Sequence, residues 1–193
     1  ASILARPGSQ TEPMSTSSKP PQSNDPQHSD VELTAVRDSF DEDALHAYLQ
    51  EHVDGYEGTL TVRQFEGGQS NPTFQLITPG RNYVLRKQPP GELLPSAHQV
   101  DREFRVQRAL ADTDVPVAKM HLLCEDDAVI GSAFYIMDHV PGRNFNQPSM
   151  DGVSVQDRGR IIDEMNRVLA ALHEVDIDAV GLSDFGPVGN YFE

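Results

Sequence analysis

Arg86 lies in a strand-like run, in a position from which a cation could bind phosphate. The run 82–87 alternates, so Val84 and Arg86 point to one face of a strand and Leu85 and Lys87 to the other. A small apolar residue two positions before a cation would let Val84 cover a nucleotide base while Arg86 reaches the phosphates. The alternative is an edge-strand arginine in solvent.

Glu103 is the second charged residue in an unexpected position. A helix is predicted over 99–112, and Glu103 lies on its apolar side together with Val100, Val106 and Leu110. An unpaired buried carboxylate is very costly, so Glu103 needs a partner, and Arg86 is the obvious candidate. Such a pair would be bidentate and permanently charged. The alternatives are a pair with Arg102 or Arg105, or contact with water.

A glycine-containing loop precedes these residues and separates two predicted strands. It consists of Gly67, Gly68, Gln69, Ser70 and Asn71. Small residues there would let backbone N–H groups approach a phosphate chain and donate to it. The loop is neither a Walker loop nor the full glycine string of protein kinases, and a plain glycine hairpin turn is the alternative.

The hydrophobic pattern predicts the elements that must position these residues. Strands are predicted at 59–65, 73–77, 82–86, 120–124 and 133–137, with a turn at 125–127, and helices at 41–53, 99–112 and 154–175. Strands gathered in one block with a single inserted helix favour an α+β fold, built on a five-stranded antiparallel sheet. Ser154 begins the last helix with a capping box.

Composition limits the possible functions. The 193 residues carry a formal net charge of −15, which disfavours binding to nucleic acid or anionic membranes. Residues 1–38 form a predicted poorly ordered tail, since its first 30 are rich in Ser, Pro and Gln. A single cysteine, with no signal-like or spanning segment, favours the cytoplasm. No His, Cys, Asp or Glu spacing predicts a metal site.

As an ordered set, four segments resemble the aminoglycoside phosphotransferase and choline kinase superfamily. These segments are EGGQSNPTF at 66–74, YVLRK at 83–87, DREF at 101–104 and FYIMDHVPGR at 134–143. The chain is most similar to the kinase-like domain associated with acyl-CoA dehydrogenases. The resemblance implies a nucleotide-binding N-lobe of the protein-kinase type over 39–140, followed by a crossover and the start of an incomplete helical C-lobe over 141–193.

The resemblance also implies ligands and roles. ATP would lie between two lobes, Mg²⁺ would bridge its phosphates, and a γ-phosphoryl group would pass to a small-molecule hydroxyl, with a hydroxyacyl-CoA as one acceptor. Arg86 stands where the family keeps its phosphate-binding cation, and Glu103 where its helix partner lies. Asp138 and Val140 stand where backbone groups would hold the adenine edge.

The sequence departs from the family pattern in its catalytic residues. The family's His-Gly-Asp loop is absent from the 193 residues, and Asp184-Phe185-Gly186 resembles a metal-binding triplet without a catalytic loop before it. The chain is therefore predicted to bind nucleotide without turnover. The alternatives are a non-catalytic nucleotide-binding or scaffolding module and an α+β protein without a nucleotide site.

Helix 154–175 is expected to expose an apolar stripe for a partner or for self-association. That stripe consists of Ile161, Met165, Val168 and Leu172.

Overall fold

The computed structural model describes residues 33–66, 71–89, 91, 98–145, 148–186 and 189. Six strands and four helices occur in these residues. In chain order they are β1 (Leu33–Thr34), α1 (Glu42–His52), β2 (Thr61–Phe65), β3 (Thr73–Ile77), β4 (Asn82–Lys87), α2 (Val100–Ala109), β5 (Met120–Cys124), α3 (Asp127–Ile130), β6 (Phe134–Asp138) and α4 (Val155–His173). None of the helices in the described residues is long and apolar enough to cross a bilayer. The predicted α+β class is confirmed.

All strands belong to one antiparallel sheet in the order β1-β2-β3-β4-β6-β5. The prediction gives five strands, one fewer than the structure has. The additional strand is β1, which pairs with β2 through Leu33 and Phe65. A buried glutamine explains the extra strand: the Gln64 side chain accepts from Arg37 N at 2.7 Å and donates to Asp38 Oδ2 at 2.6 Å. Residues 33–38 are thus held to the sheet, although the sequence predicts a tail there; the division into tail and lobes stays a prediction.

The two faces of the sheet carry different helices. On one face, α1 packs Leu45 and Leu49 against sheet residues that are almost completely buried, namely Phe74, Leu76, Tyr83, Leu85, Phe134 and Ile136. On the other face, α2 packs Val100 and Phe104 against Tyr135. Because side chains alternate along β4, its positions 83, 85 and 87 face α1, whereas 84 and 86 face the α2 side. The predicted alternation of this strand is confirmed.

Local signals account for the helix limits. The Asp41 side chain caps α1 by accepting from Ala44 N at 2.9 Å. Ser154 caps α4 by accepting from Asp157 N at 3.1 Å, which is one of the two contacts of the predicted capping box. In place of the second contact, the Asp157 carboxylate accepts from the Ser154 hydroxyl at 2.7 Å. The segment predicted as a turn between β5 and β6 differs from the prediction, because Asp126 caps the short helix α3 there, and Gly131 ends it with a positive φ of 82°.

Helix α4 buries none of its residues within the described structure. Met165 and Leu172 are 59% and 45% exposed, and Ile161 and Val168 beside them are partly buried. These side chains line an apolar groove of about 700 Å³. The predicted exposed stripe is therefore present.

Candidate functional site

The Arg86 and Glu103 side chains meet between β4 and α2. The Arg86 Nε donates to Glu103 Oε2 at 2.6 Å, and Nη2 donates to Oε1 at 3.3 Å, so the contact is bidentate. The two side chains are 28% and 35% exposed. The predicted pairing of this strand cation with this helix carboxylate is confirmed.

The Glu103 carboxylate accepts from two further side chains. Asn71 Nδ2 donates to Oε1 at 3.1 Å, and the Tyr135 hydroxyl donates to Oε2 at 3.0 Å. Each carboxylate oxygen therefore has two donors, and the anion is fixed in orientation as well as in charge. Burial, followed by the charge of Glu103, raises the pKa of the Tyr135 hydroxyl to about 12, so it remains a donor at neutral pH.

Asn71 has a different environment from the one expected for a phosphate-loop residue. It is 2% exposed, and His98 Nδ1 lies 2.9 Å from its Oδ1 while its Nδ2 contacts Glu103. Its side chain therefore positions the helix carboxylate, and only its backbone could serve a ligand. The other predicted loop residues, Gly67, Gly68, Gln69 and Ser70, lie outside the described residues.

Arg86 keeps donors for a ligand. A guanidinium carries five N–H groups. Two of them donate to Glu103, and a third, on Nη1, donates to Thr73 Oγ1 at 3.1 Å. One N–H on each Nη has no acceptor among the described residues. Burial lowers the pKa of Arg86, but the Glu103 hydrogen bond and charge outweigh it, so the net pKa is raised.

A cleft of about 400 Å³ adjoins this pair through Thr73, which lines it. Val84, which is 6% exposed, forms part of its wall together with Met137. Phe65 and His139 also line the cleft, and their rings lie parallel, with ring centroids 6.4 Å apart and an interplanar angle of 9°. Burial lowers the pKa of His139, which favours the neutral ring. The cleft thus has apolar walls of the kind that a planar heterocycle can occupy.

Asp138 and Val140, whose backbone groups are predicted to hold the adenine edge, line this cleft. The Asp138 N–H donates to Lys119 O at 2.9 Å, so of the two backbone groups of Asp138 only the carbonyl can serve a ligand. Its carboxylate lies 2.7 Å from His121 Nε2. Val140 is 68% exposed, and its N–H has no hydrogen-bond partner in the described part of the chain. Both residues are in place for the predicted contacts, which stay predictions.

The Asp184-Phe185-Gly186 triplet lies against α2. Arg105 donates to both carboxylate oxygens of Asp184, through Nη1 at 3.2 Å and through a shorter contact from Nη2. Within the described residues, no group of three His, Cys, Asp or Glu side chains is arranged to hold a metal ion. Asp184 therefore serves as an acceptor for an arginine in this structure.

Three residues around the Arg86–Glu103 pair are not predicted from the sequence as site residues: Thr73, His98 and Tyr135. Tyr135 lies directly opposite Arg86 in the β4–β6 pairing, and Thr73 opposite it in the β3–β4 pairing. Cross-strand register would have identified both residues, but it requires knowing that β6 pairs with β4 across an inserted helix. His98 has a positive φ of 58° just before α2, and no local sequence signal predicts its contact with Asn71.

The sequence model of the phosphotransferase enzyme family (APH) matches residues 61–193. The chain belongs to this family. The matched range begins with the first residue of β2 and includes the cleft, the Arg86–Glu103 pair and α4. The residues that match the family model therefore include the site described above.

Relatives of this phosphotransferase-family chain include dehydrogenase proteins. Acyl-CoA dehydrogenase family member 11 of Homo sapiens is 44% identical over 167 residues, which are 84% of this chain and 21% of that protein. Acyl-CoA dehydrogenase family member 10 of Mus musculus is 44% identical over 151 residues, 78% of this chain and 14% of that protein. The chain thus spans a small part of the relatives it matches.

A solved structure is similar as well. It is the crystal structure of a protein from Ralstonia eutropha assigned as an aminoglycoside phosphotransferase, which is 54% identical, with a TM-score of 0.69. The match covers 80% of this chain and 44% of that one. The resemblance to aminoglycoside phosphotransferases and to proteins named as acyl-CoA dehydrogenases is confirmed.

Proposed function

We propose that this chain is the nucleotide-binding part of an ATP-dependent phosphotransferase that acts on a small-molecule hydroxyl. The observation that carries the proposal is the Arg86 guanidinium: it is held by Glu103, adjoins the cleft through Thr73 and has two N–H groups without an acceptor among the described residues. A fixed cation with unused donors beside an apolar cleft suits the phosphates of a nucleotide whose base lies in that cleft.

The residues of the chain fit such a nucleotide. Val84 would cover the base, the Asp138 carbonyl and the Val140 N–H would hold its polar edge, and Arg86 would bind the phosphate oxygens. Backbone N–H groups of the loop 67–71 would approach the same phosphates. Mg²⁺, when bound, would neutralise charge on the phosphates, and the described residues would hold it through the nucleotide.

Transfer of the phosphoryl group needs a base that orients the acceptor hydroxyl. The family's His-Gly-Asp triplet does not occur in these 193 residues, so we expect this chain alone to bind nucleotide without turnover. The acceptor we propose is a hydroxyacyl-CoA or a related hydroxylated acyl compound. The names of the relatives support this choice, since segments 44% identical to this chain occur in proteins called acyl-CoA dehydrogenases.

Calorimetric titration of the 193-residue chain with Mg²⁺ and a non-hydrolysable ATP analogue tests the binding step. We expect Arg86→Gln to raise the dissociation constant about tenfold or more, because a hydrogen bond to a charged group contributes about 1.5–3 kcal/mol. The matched control is Arg63→Gln, an exposed arginine on β2. Equal affinities of Arg86→Gln and the unmodified chain, or no saturable binding, would contradict the proposal.

Two further predictions concern the surroundings of the protein. The cytoplasm stays the predicted compartment, because a single cysteine cannot form an intramolecular disulfide and so gives no sign of an oxidising compartment. Self-association through the apolar stripe of α4 also stays a prediction. Sedimentation of the chain at several concentrations, compared with a Met165→Glu variant, tests it: loss of a concentration-dependent mass increase in the variant is the expected result.

A further inference from the structure

Two arginines on the outer side of α2 bind the segment 181–185, which follows α4. Arg105 donates to both carboxylate oxygens of Asp184 and, at 3.0 Å, to Gly181 O. Arg102 donates to Phe185 O at 2.7 Å, and its guanidinium carbon lies 3.9 Å from the centroid of the Phe185 ring. Together these contacts form a bidentate ion pair, two backbone hydrogen bonds and a cation–π contact.

The segment 181–185 has a shape of its own. Leu182 N donates to Ile177 O at 2.8 Å, and Phe185 N donates to Leu182 O at 2.9 Å, so two consecutive turns are closed. Leu182 is 8% exposed, and Gly181 has a positive φ of 74°, a conformation in which glycine is favoured. The arginines therefore bind a preformed surface and not an extended chain end.

Helix α2 depends on contacts with its neighbours for its position. It has ten residues and no side-chain cap at its N-terminus, and short helices are marginal without packing. Its inner side packs on Tyr135, and its outer side contacts the segment 181–185 through the two arginines. Glu103 lies in sequence between Arg102 and Arg105, so a shift of the outer contacts moves the carboxylate that binds Arg86. A shift of about 1 Å would lengthen the 2.6 Å bond beyond normal hydrogen-bond distance.

We propose that Arg102 and Arg105 are positioning residues for the nucleotide site: by binding the segment 181–185 they hold α2 where Glu103 fixes Arg86. The inference rests on the proposed function, because the Arg86 guanidinium is the group that would bind phosphate. Asp184 then contributes to the nucleotide site indirectly, because it is the acceptor for Arg105 and so helps to hold α2. The Asp184 side chain is 76% exposed, and an isolated exposed ion pair adds little stability, so the position of α2 is the quantity that should respond.

The test compares four forms of the 193-residue chain: unmodified, Arg105→Asp, the charge swap Arg105→Asp with Asp184→Arg, and Arg167→Gln. The last is a matched control, because Arg167 makes a similar bidentate pair with Glu164 on α4. Hydrogen exchange of the α2 amides without ligand reports the helix, and titration with the non-hydrolysable ATP analogue reports the site.

We expect Arg105→Asp to speed exchange in α2 and to raise the dissociation constant, each by about three- to tenfold, the range usual for coupling between distant residues. The charge swap should restore both quantities in part, because it rebuilds the ion pair but a carboxylate at position 105 cannot donate to Gly181 O, and the control should change neither. Unchanged exchange in Arg105→Asp, or faster exchange with unchanged affinity, overturns the inference. If the unmodified chain binds no nucleotide, the proposed function fails instead, and the exchange data still show whether the arginines hold α2.

Discussion

Replacing Glu103 by glutamine tests the central ion pair with little change in shape. The carboxylate accepts four hydrogen bonds, two on each oxygen. A glutamine can keep its oxygen toward Asn71 and Arg86 Nη2, but its amide nitrogen would then face the Arg86 Nε–H, which is also a donor. The substitution therefore removes the charge and places two donors opposite each other.

The cost follows from the exposure of the pair. A hydrogen bond to a charged group contributes about 1.5–3 kcal/mol, and water reaches side chains that are 28% and 35% exposed, so the lower part of that range applies. With one such bond lost and the Tyr135 contact weakened, we expect about 2 kcal/mol less free energy of unfolding. For a chain of this size the melting temperature should fall by about 4–8 °C.

Urea unfolding monitored by circular dichroism measures this change, and an unchanged slope with denaturant shows that the unfolded state is not affected. Glu164→Gln is the matched control, since Glu164 makes a bidentate pair with Arg167 that is exposed on both sides. The control should cost less than about 0.5 kcal/mol. Equal effects of the two substitutions would show that the Arg86–Glu103 contact is an ordinary surface pair, and the physical basis of the proposed phosphate site would be lost.

Other side chains give three further predictions. Lys87 is 4% exposed and burial lowers its pKa, so Lys87→Met should raise the free energy of unfolding by about 1 kcal/mol, whereas methionine at the exposed Lys119 should not. Burial raises the pKa of Tyr56 and Tyr135 from 10.0 to about 12. Because the folded-state pKa is raised, the stability that these groups contribute below pH 10 is lost as the pH rises toward 12. Tyr135→Phe should lessen that loss in an alkaline unfolding titration. Asp184→Asn should leave the Mg²⁺ dependence of nucleotide binding unchanged, because that carboxylate binds an arginine; a lost Mg²⁺ effect in calorimetry would refute this.

The sequence was sufficient to predict the central contact of the site. Because side chains alternate along β4, Arg86 is predicted on the other face of the strand from Leu85. Helical spacing predicts Glu103 on the packed side of α2. An unpaired charge between two apolar surfaces costs free energy, and pairing the two charges with each other removes that cost. The pairing could therefore be predicted. The fold class followed in the same way from strands grouped around one inserted helix.

Residues that complete the site depend on long-range register and could not be predicted in the same way. Tyr135 reaches Glu103 because β6 crosses over to pair with β4, and Asn71 reaches it from the end of a loop. Local periodicity contains no information on either arrangement. Strand β1 was missed for a related reason, since two residues are too short for a periodic signal and depend on the buried side chain of Gln64.

The arginine at position 86 is explained by the number of hydrogen bonds that the site requires. A lysine has three N–H donors on one flexible point charge, whereas arginine has five in a rigid plane. Glu103 and Thr73 take three donors of Arg86, which would exhaust a lysine before any ligand arrived. A guanidinium can be fixed by the protein through one edge and still present N–H groups on both terminal nitrogens to an anion. The Glu103 carboxylate has lone pairs that Arg86 does not use, and Tyr135 and Asn71 donate hydrogen bonds to them. The same network that holds α2 on the sheet therefore leaves two N–H groups of Arg86 without an acceptor among the described residues, as the proposed function requires.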